Sequence, residues 1–245
     1  MGRLARETVK SAPDLQYVGG FARERIPEES IDDDLGRLLL EKRPEVLVDF
    51  TTRPATQEAA RAAVELGIHP VIGSSEWNDE ERADLAALCG RHGLGALLVP
   101  NFAIGAVLMM RFAEQAAKFF PSVEIIEMHR EEKRDKPSGT AAATARRIES
   151  HGGPQVPIHS VRLRGLLSHQ EVLFGNTGEM LTIRHDSFSE SSFAAGILLA
   201  IRNVQKLNRL EVSLEIVLRS AHEHPLPADT SAIHGASQAQ DDIGA

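Results

Sequence analysis

The feature that most restricts this chain is the alternation of strand and helix signals across its first hundred residues. Glu45 to Thr51 (EVLVDFT), His69 to Ser74 (HPVIGS) and Gly95 to Val99 (GALLV) are short apolar runs. Such runs suit strands buried on both faces of a parallel sheet. Between them lie two helix patterns. One, Pro54 to Gly67, opens on proline and closes on glycine; the other, Asn78 to His92, has acidic residues in its first turn, where they complement the helix dipole. Leu15 to Phe21 (LQYVGGF) reads as a further strand. Strand, helix, strand, helix at this spacing predicts a parallel α/β sheet.

The pattern changes after Asn101. A long apolar helix is expected from Ala103 to Phe120, a strand from Ser122 to Arg130 and a helix from Ser138 to Ser150. Three strand-like stretches follow, Pro157 to Arg164, His169 to Phe174 and Glu179 to Asp186. The last two are joined by a hairpin turn at Gly175-Asn176-Thr177-Gly178. This half predicts an open mixed sheet with helices on one side. Ser191 to Leu207 is an apolar-striped helix, with a shorter one to about Leu218. The expected domains are 1–101 joined by 192–218, and 102–191. The stretch 219–245 is rich in Ala, Ser, Asp, Gln, Pro and His and reads as a disordered tail.

Bulk properties limit the partners. Apolar residues make up 42% and charged residues 25%, enough to build a core in a soluble globular protein. The net charge of −8 argues against a nucleic-acid backbone binder, which needs a basic face, yet permits a local basic pocket. No apolar run is long enough to span a membrane. The opening MGRLARETVKSAP lacks the apolar centre of a signal peptide. The single cysteine, Cys89, rules out an internal disulfide, sits in an apolar helical stretch and reads as core. A cytoplasmic protein is expected, with no membrane and no nucleic-acid partner. No Cys/His spacing supports a zinc site, and His159, His169 and His185 read as structural or subunit-contact residues.

The densest polar cluster is EMHREEKRDKPSGTA, Glu127 to Ala141, where a strand gives way to a helix. His129 and Lys133 are four apart, so a bent strand end could aim both at one cleft. Arg130, Lys133, Arg134 and Lys136 supply positive charge. Ser138, Gly139 and Thr140 open a helix whose free amides could bind a carboxylate or phosphate, Gly139 permitting close approach. A histidine and a lysine beside such an anion can deliver a proton. On charge pattern alone, a solvated surface loop capped by Ser138 or Thr140 is the favoured reading.

This stretch resembles the signature of the dihydrodipicolinate reductase family: Glu127, His129, Lys133, Asp135, Pro137, Ser138, Gly139, Thr140 and Ala141 fall in register with it. Further likenesses follow in family order: VDFTTRP at Val48, VIGSS at Val71, VPNFAIGAVLMM at Val99, HSVRLRGLLSHQEVLFG at His159 and LTIRHDSF at Leu181. The resemblance implies a Rossmann-like domain plus a second α+β domain with an open mixed sheet. It implies NADPH or NADH as cofactor, a cyclic dicarboxylate substrate in the diaminopimelate route to lysine, and a homotetramer built through the second sheet. It implies catalytic roles for His129 and Lys133 and substrate contacts from Gly139, Thr140 and Arg130, the last standing where the family often has a second histidine. Cofactor contacts would come from Gly2, Gly73, Ser74, Ser75, Pro100, Asn101, Phe102 and Ala103. Arg23, near the end of the second expected strand, would suit a 2′-phosphate; a plain surface arginine fits that position as well.

The opening is unusual for such a fold. A strand and glycine-rich turn normally precede the first helix, whereas Met1-Gly2-Arg3 resembles only the close of that loop. A misassigned start and a genuine deletion both account for this. Taken literally, the sheet would lack its first strand, exposing unpaired edges and favouring aggregation. The alternative function is a non-catalytic remnant or binding protein that keeps the substrate and oligomerisation domain. A sugar-type dehydrogenase suggested by Asp135-Lys136-Pro137 conflicts with the neighbouring His-x-x-x-Lys and SGTA.

Overall fold

The computed structural model describes residues 1–74 and 77–221. They form two compact units, Met1–Pro100 with the chain from Ile197 onward, and Asn101–Gly196. In chain order the first unit holds α1 (Gly2–Ser11), β1 (Gly20–Phe21), β2 (Ile31–Asp32), α2 (Leu35–Lys42), β3 (Val46–Asp49), α3 (Ala55–Glu65), β4 (His69–Ile72), α4 (Asp79–His92) and β5 (Ala96–Leu98). The second unit holds α5 (Ile104–Ala116), β6 (Ser122–His129), α6 (Gly139–Ser150), β7 (Ile158–Arg162), β8 (Ser168–Asn176) and β9 (Glu179–Ser187). α7 (Ala194–Val204) carries the chain back to the first unit, which ends with β10 (Leu210–Val212) and α8 (Glu215–Ala221).

The main sheet of the first unit is parallel throughout, in the order β10-β5-β4-β3. Its apolar strands are covered by α3 and α4, whose Ala60, Val64, Leu85, Leu88 and Cys89 pack against Ile72 and Leu98. α4 starts where it does because Asn78 and Glu81 form a reciprocal capping box. It stops at Gly93, whose φ of 63° suits a residue without a side chain.

The expected strand Leu15 to Phe21 is mostly unpaired. Only Gly20 and Phe21 join a ladder, with Ile31 and Asp32, in a separate two-stranded sheet. The physical reason is distance from any partner: between this segment and β3 lies a cleft of about 990 Å³, lined among others by Tyr17, Val18, Leu38, Val46, Val48 and Ala59. An extended run with nothing to bond to is not a strand. Other boundaries also move. The first long helix of the second unit ends at Ala116 rather than Phe120, and the helix expected from Ser191 begins as a 3-10 turn over Glu190–Phe193. The hairpin turn narrows to Thr177 and Gly178, with Gly178 at φ 79°. Arg219 to Ala221, assigned to the tail, complete α8; the remainder of the expected tail and Ser75 lie outside the described residues.

The second unit is a mixed sheet, β7-β6-β8-β9, parallel between β6 and β7 and antiparallel elsewhere. Along β6 the side chains of Val123, Ile125, Glu127 and His129 are buried on one face. That face packs against α5 and α6 through Met109, Ala113, Ala141, Ala145, Ile148, Val172 and Phe174. The opposite face carries half-buried Ile126, Met128, Val161 and Leu173, with Met180 70% exposed.

Candidate active site

The alternation that buries Val123 and Ile125 also drives Glu127 and His129 inward. A carboxylate in that position needs full compensation. Glu127 is completely buried and receives it from three sides. Arg162 on β7 pairs with both its oxygens at 2.8 Å, the amide of Ser138 donates to Oε1 at 3.2 Å, and His129 Nδ1 lies 2.5 Å from Oε2. Burial alone pushes the Glu127 carboxyl upward, but the bonds from Arg162, Ser160 and His129 outweigh it and hold the group below its ordinary value.

An ionised Glu127 can only accept, so it fixes the imidazole with its proton on Nδ1. Nε2 then faces Ser168 Oγ at 3.1 Å. Burial lowers the pKa of His129; Glu127 opposes the shift, while Lys133 and Arg162 add to it. His129 is therefore neutral near pH 7. Lys133 is 27% exposed and pairs with Asp135 at 2.9 Å, and it holds that carboxyl below its usual range.

Beyond the loop, α6 begins at Ser138. Its side chain accepts from the Ala141 amide at 3.2 Å, and its carbonyl from Ala142 at 3.0 Å. The amides of Gly139 and Thr140 have no partner among the described residues. Gly139 is exposed, and a β-carbon there would meet open space. Two free amides at the N-terminus of a twelve-residue helix make an anion seat. Asn101 frames it, donating to Thr140 Oγ1 at 3.2 Å and accepting from the Ala103 amide at 2.8 Å.

The second unit thus brings together His129, Lys133, Gly139, Thr140 and Asn101. Arg130 is exposed on the same loop. Phe102 and Ala103 are buried and offer a ligand little side-chain surface. His159 binds Glu124 at 2.8 Å and His169 binds Asp186 at 2.7 Å, so each has a carboxylate partner. The residues that sequence reasoning left without a role are Glu127, Arg162 and Ser168. Glu127 was detectable as a charge on the apolar parity of its strand; Arg162 and Ser168 needed the strand pairing.

In the first unit the carboxyl ends of β3, β4 and β5 are level: Asp49 pairs with Ile72, and Ile72 with Leu98. Asp49 ends the first, the turn leaving the second carries Gly73 and Ser74, and Pro100 follows the third. The carbonyl of Asp49 accepts from Gly73, and its carboxylate accepts from the Thr51 amide and hydroxyl. Gly2 is the first residue of α1, with open space where a side chain would stand. Arg23 is exposed in a bend after β1.

Parallel strand ends with polar turns in one unit, and an imidazole, an ammonium and free helix amides on a mixed sheet in the other, define a two-domain nicotinamide-dependent oxidoreductase. Comparison with known proteins narrows the class. Residues 1–102 match the family model for the dihydrodipicolinate reductase N-terminus, and residues 105–218 that for its C-terminus; the chain belongs to this family. A 4-hydroxy-tetrahydrodipicolinate reductase of Syntrophomonas wolfei is 39% identical over 89% of this chain and 96% of its own length. One from Streptococcus gordonii is 42% identical over 89% and 95%. The solved dipicolinate-bound dihydrodipicolinate reductase of Paenisporosarcina sp. TG-14 superposes with a TM-score of 0.80 at 36% identity, covering 88% of this chain and 94% of that one. An amine dehydrogenase from Mycobacterium smegmatis, at 12% identity and TM-score 0.64, shares the fold.

Proposed function

We propose that the chain reduces 4-hydroxy-tetrahydrodipicolinate with NADPH or NADH, in the diaminopimelate route to lysine. One arrangement carries this reading: a neutral histidine held by a buried carboxylate, with a lysine on the loop that follows and a helix with two free amides beyond it.

The first unit fits a nicotinamide cofactor at its polar strand ends. Gly73, Ser74 and Pro100 would line the nicotinamide side, and the N-terminus of α1 at Gly2 would face the phosphates. Bound there, the cofactor supplies the hydride. The chain's own residues do the rest. The amides of Gly139 and Thr140 grip a substrate carboxylate, and Asn101 keeps Thr140 in place. Arg130 lends its guanidinium to the dicarboxylate. Lys133 delivers the proton that balances hydride addition, while His129, neutral and unprotonated at Nε2, acts as the acid/base group that exchanges a proton at that atom. Arg23 favours NADPH, because its exposed guanidinium can meet a 2′-phosphate.

The open face of the mixed sheet supports a homotetramer. Ile126, Met128, Val161 and Leu173 lie on it half-buried among charged residues such as Glu124, Glu171 and Arg184, a mixed surface of the kind that contacts between copies use. Among the described residues no helix is long and apolar enough to cross a membrane. The lone cysteine, Cys89, suits a reducing cytoplasm, and burial pushes its thiol up to about 11, which leaves it unreactive.

The test is turnover. NADPH or NADH absorbance should fall when the heterocycle is generated in the cuvette from pyruvate and aspartate semialdehyde by its aldolase. A folded chain that binds dipicolinate without oxidising either cofactor would favour the non-catalytic alternative.

A further inference from the structure

The fully buried Glu127 faces a guanidinium almost as deeply placed, that of Arg162, whose side chain is 5% exposed. It has five N–H donors, and each has an acceptor. Nη1 donates to Glu127 Oε2 at 2.8 Å and to the Val161 carbonyl at 2.8 Å. Nη2 donates to Glu127 Oε1 at 2.8 Å and to the Asp135 carbonyl at 2.7 Å, and Nε to the Lys133 carbonyl at 3.2 Å. Two of these acceptors are backbone groups of the loop that carries Lys133. A third, the Glu127 carboxylate, holds His129 and the first amide before α6. One side chain on β7 thus connects the imidazole, the lysine loop and the start of the anion-binding helix.

We infer that Arg162 and Glu127 act as a positioning pair for the reaction, setting the tautomer of His129 and the placement of Lys133 together; this rests on the roles given above to those two residues. Stability is a poor reason to keep such a pair. Buried ion pairs are commonly replaceable by apolar residues at no loss of stability, and the same core face already carries Val123 and Ile125. Here the acceptors are specific to the site, because four of the guanidinium's five bonds end on Glu127 or on the Lys133 loop. Lysine cannot replace it, since an ammonium has three donors and no planar fork.

The groups facing the His129 ring are Glu127 on its own strand, Lys133 on the loop, Arg162 on β7 and Ser168 on β8. Of the three charged ones, only Glu127 raises its proton affinity. Removing that carboxylate must therefore move the His129 titration to lower pH.

The first test needs no substitution. In the wild-type chain, ¹⁵N NMR of His129 should show the proton on Nδ1; the Nε2–H tautomer would overturn the inference. Then E127Q and R162K are compared with H129Q. The expectation for E127Q is a kcat reduced roughly 10- to 100-fold, the range seen when groups that orient reactive side chains are lost. The histidine-linked limb of its pH profile moves to lower pH, and the KM for NADPH stays put. R162K should lower kcat in the same range and raise the KM of the dicarboxylate. If E127Q keeps wild-type kcat and an unmoved pH limb while H129Q is inactive, the positioning pair fails and the site assignment survives. If H129Q itself turns over normally, the site assignment fails first.

Discussion

Lys133→Met separates chemistry from structure at this site. The loop is tied to Arg162 through the carbonyl of Lys133, not through its side chain. Methionine keeps that carbonyl and the aliphatic stem. What is lost is the ammonium and its 2.9 Å pair with Asp135, whose members are 27% and 55% exposed. A pair that open contributes about 0–1 kcal/mol, or a fall in Tm of no more than about 4 °C for a chain of this size. A proton donor, by contrast, contributes about 10²- to 10⁴-fold in rate, which is roughly 2.7–5.5 kcal/mol of barrier. K133M should therefore melt almost like the wild type while kcat drops by at least about a hundredfold. Thermal melts and initial rates of NADPH oxidation, measured on the same preparation, decide it. A kcat within about threefold of wild type would refute the assignment of Lys133 as proton donor. A Tm loss well beyond about 4 °C would show instead that the side chain supports the loop.

Three further outcomes follow from the geometry. Arg23→Ala should raise the KM for NADPH about tenfold, as for loss of a charge-assisted bond, with little change for NADH; an equal effect on both would remove Arg23 from the cofactor site. Gly95→Ala should destabilise the first unit by about 1–3 kcal/mol, seen as a lower urea midpoint, because a β-carbon there would stand 2.3 Å from the Val204 carbonyl and 2.6 Å from that of Leu207. Burial lowers the pKa of both His129 and His185, so the unfolded chain takes up protons at these positions before the folded one does. Their contribution to stability is complete above about pH 6.5, the unfolded value, and declines as pH falls below it. His185→Gln should flatten the drop in Tm between pH 7 and 5; an unchanged slope would count against the shift.

The sequence made the parallel sheet legible because its strands are continuous apolar runs bounded by recognisable caps, such as Asn78 with Glu81. The unpaired edge was legible too, since no strand signal precedes the first helix; that Leu15 to Val18 would consequently drop out of the ladder, leaving only Gly20 and Phe21 paired, was not, because periodicity does not report pairing. α2 and β10 were missed for related reasons. Leu35–Lys42 is only eight residues long, and Leu210–Val212 is a three-residue edge strand whose identity comes from its register with Ala96–Leu98. In the site, His129, Lys133 and the opening of α6 could be read because they lie within one short window. Arg162 could not, since its role depends on β7 lying beside β6, and nothing local in HSVRLRG distinguishes it from Arg164, which is 90% exposed at its side chain.

The central claim is that a dicarboxylate sits on the N-terminus of α6 between the imidazole and the ammonium. A crystal structure of the chain soaked with dipicolinate tests it directly. One carboxylate should accept hydrogen bonds from the amides of Gly139 and Thr140, with Lys133 Nζ and His129 Nε2 turned toward the ring. Dipicolinate bound elsewhere, with those two amides still facing solvent, would contradict the account.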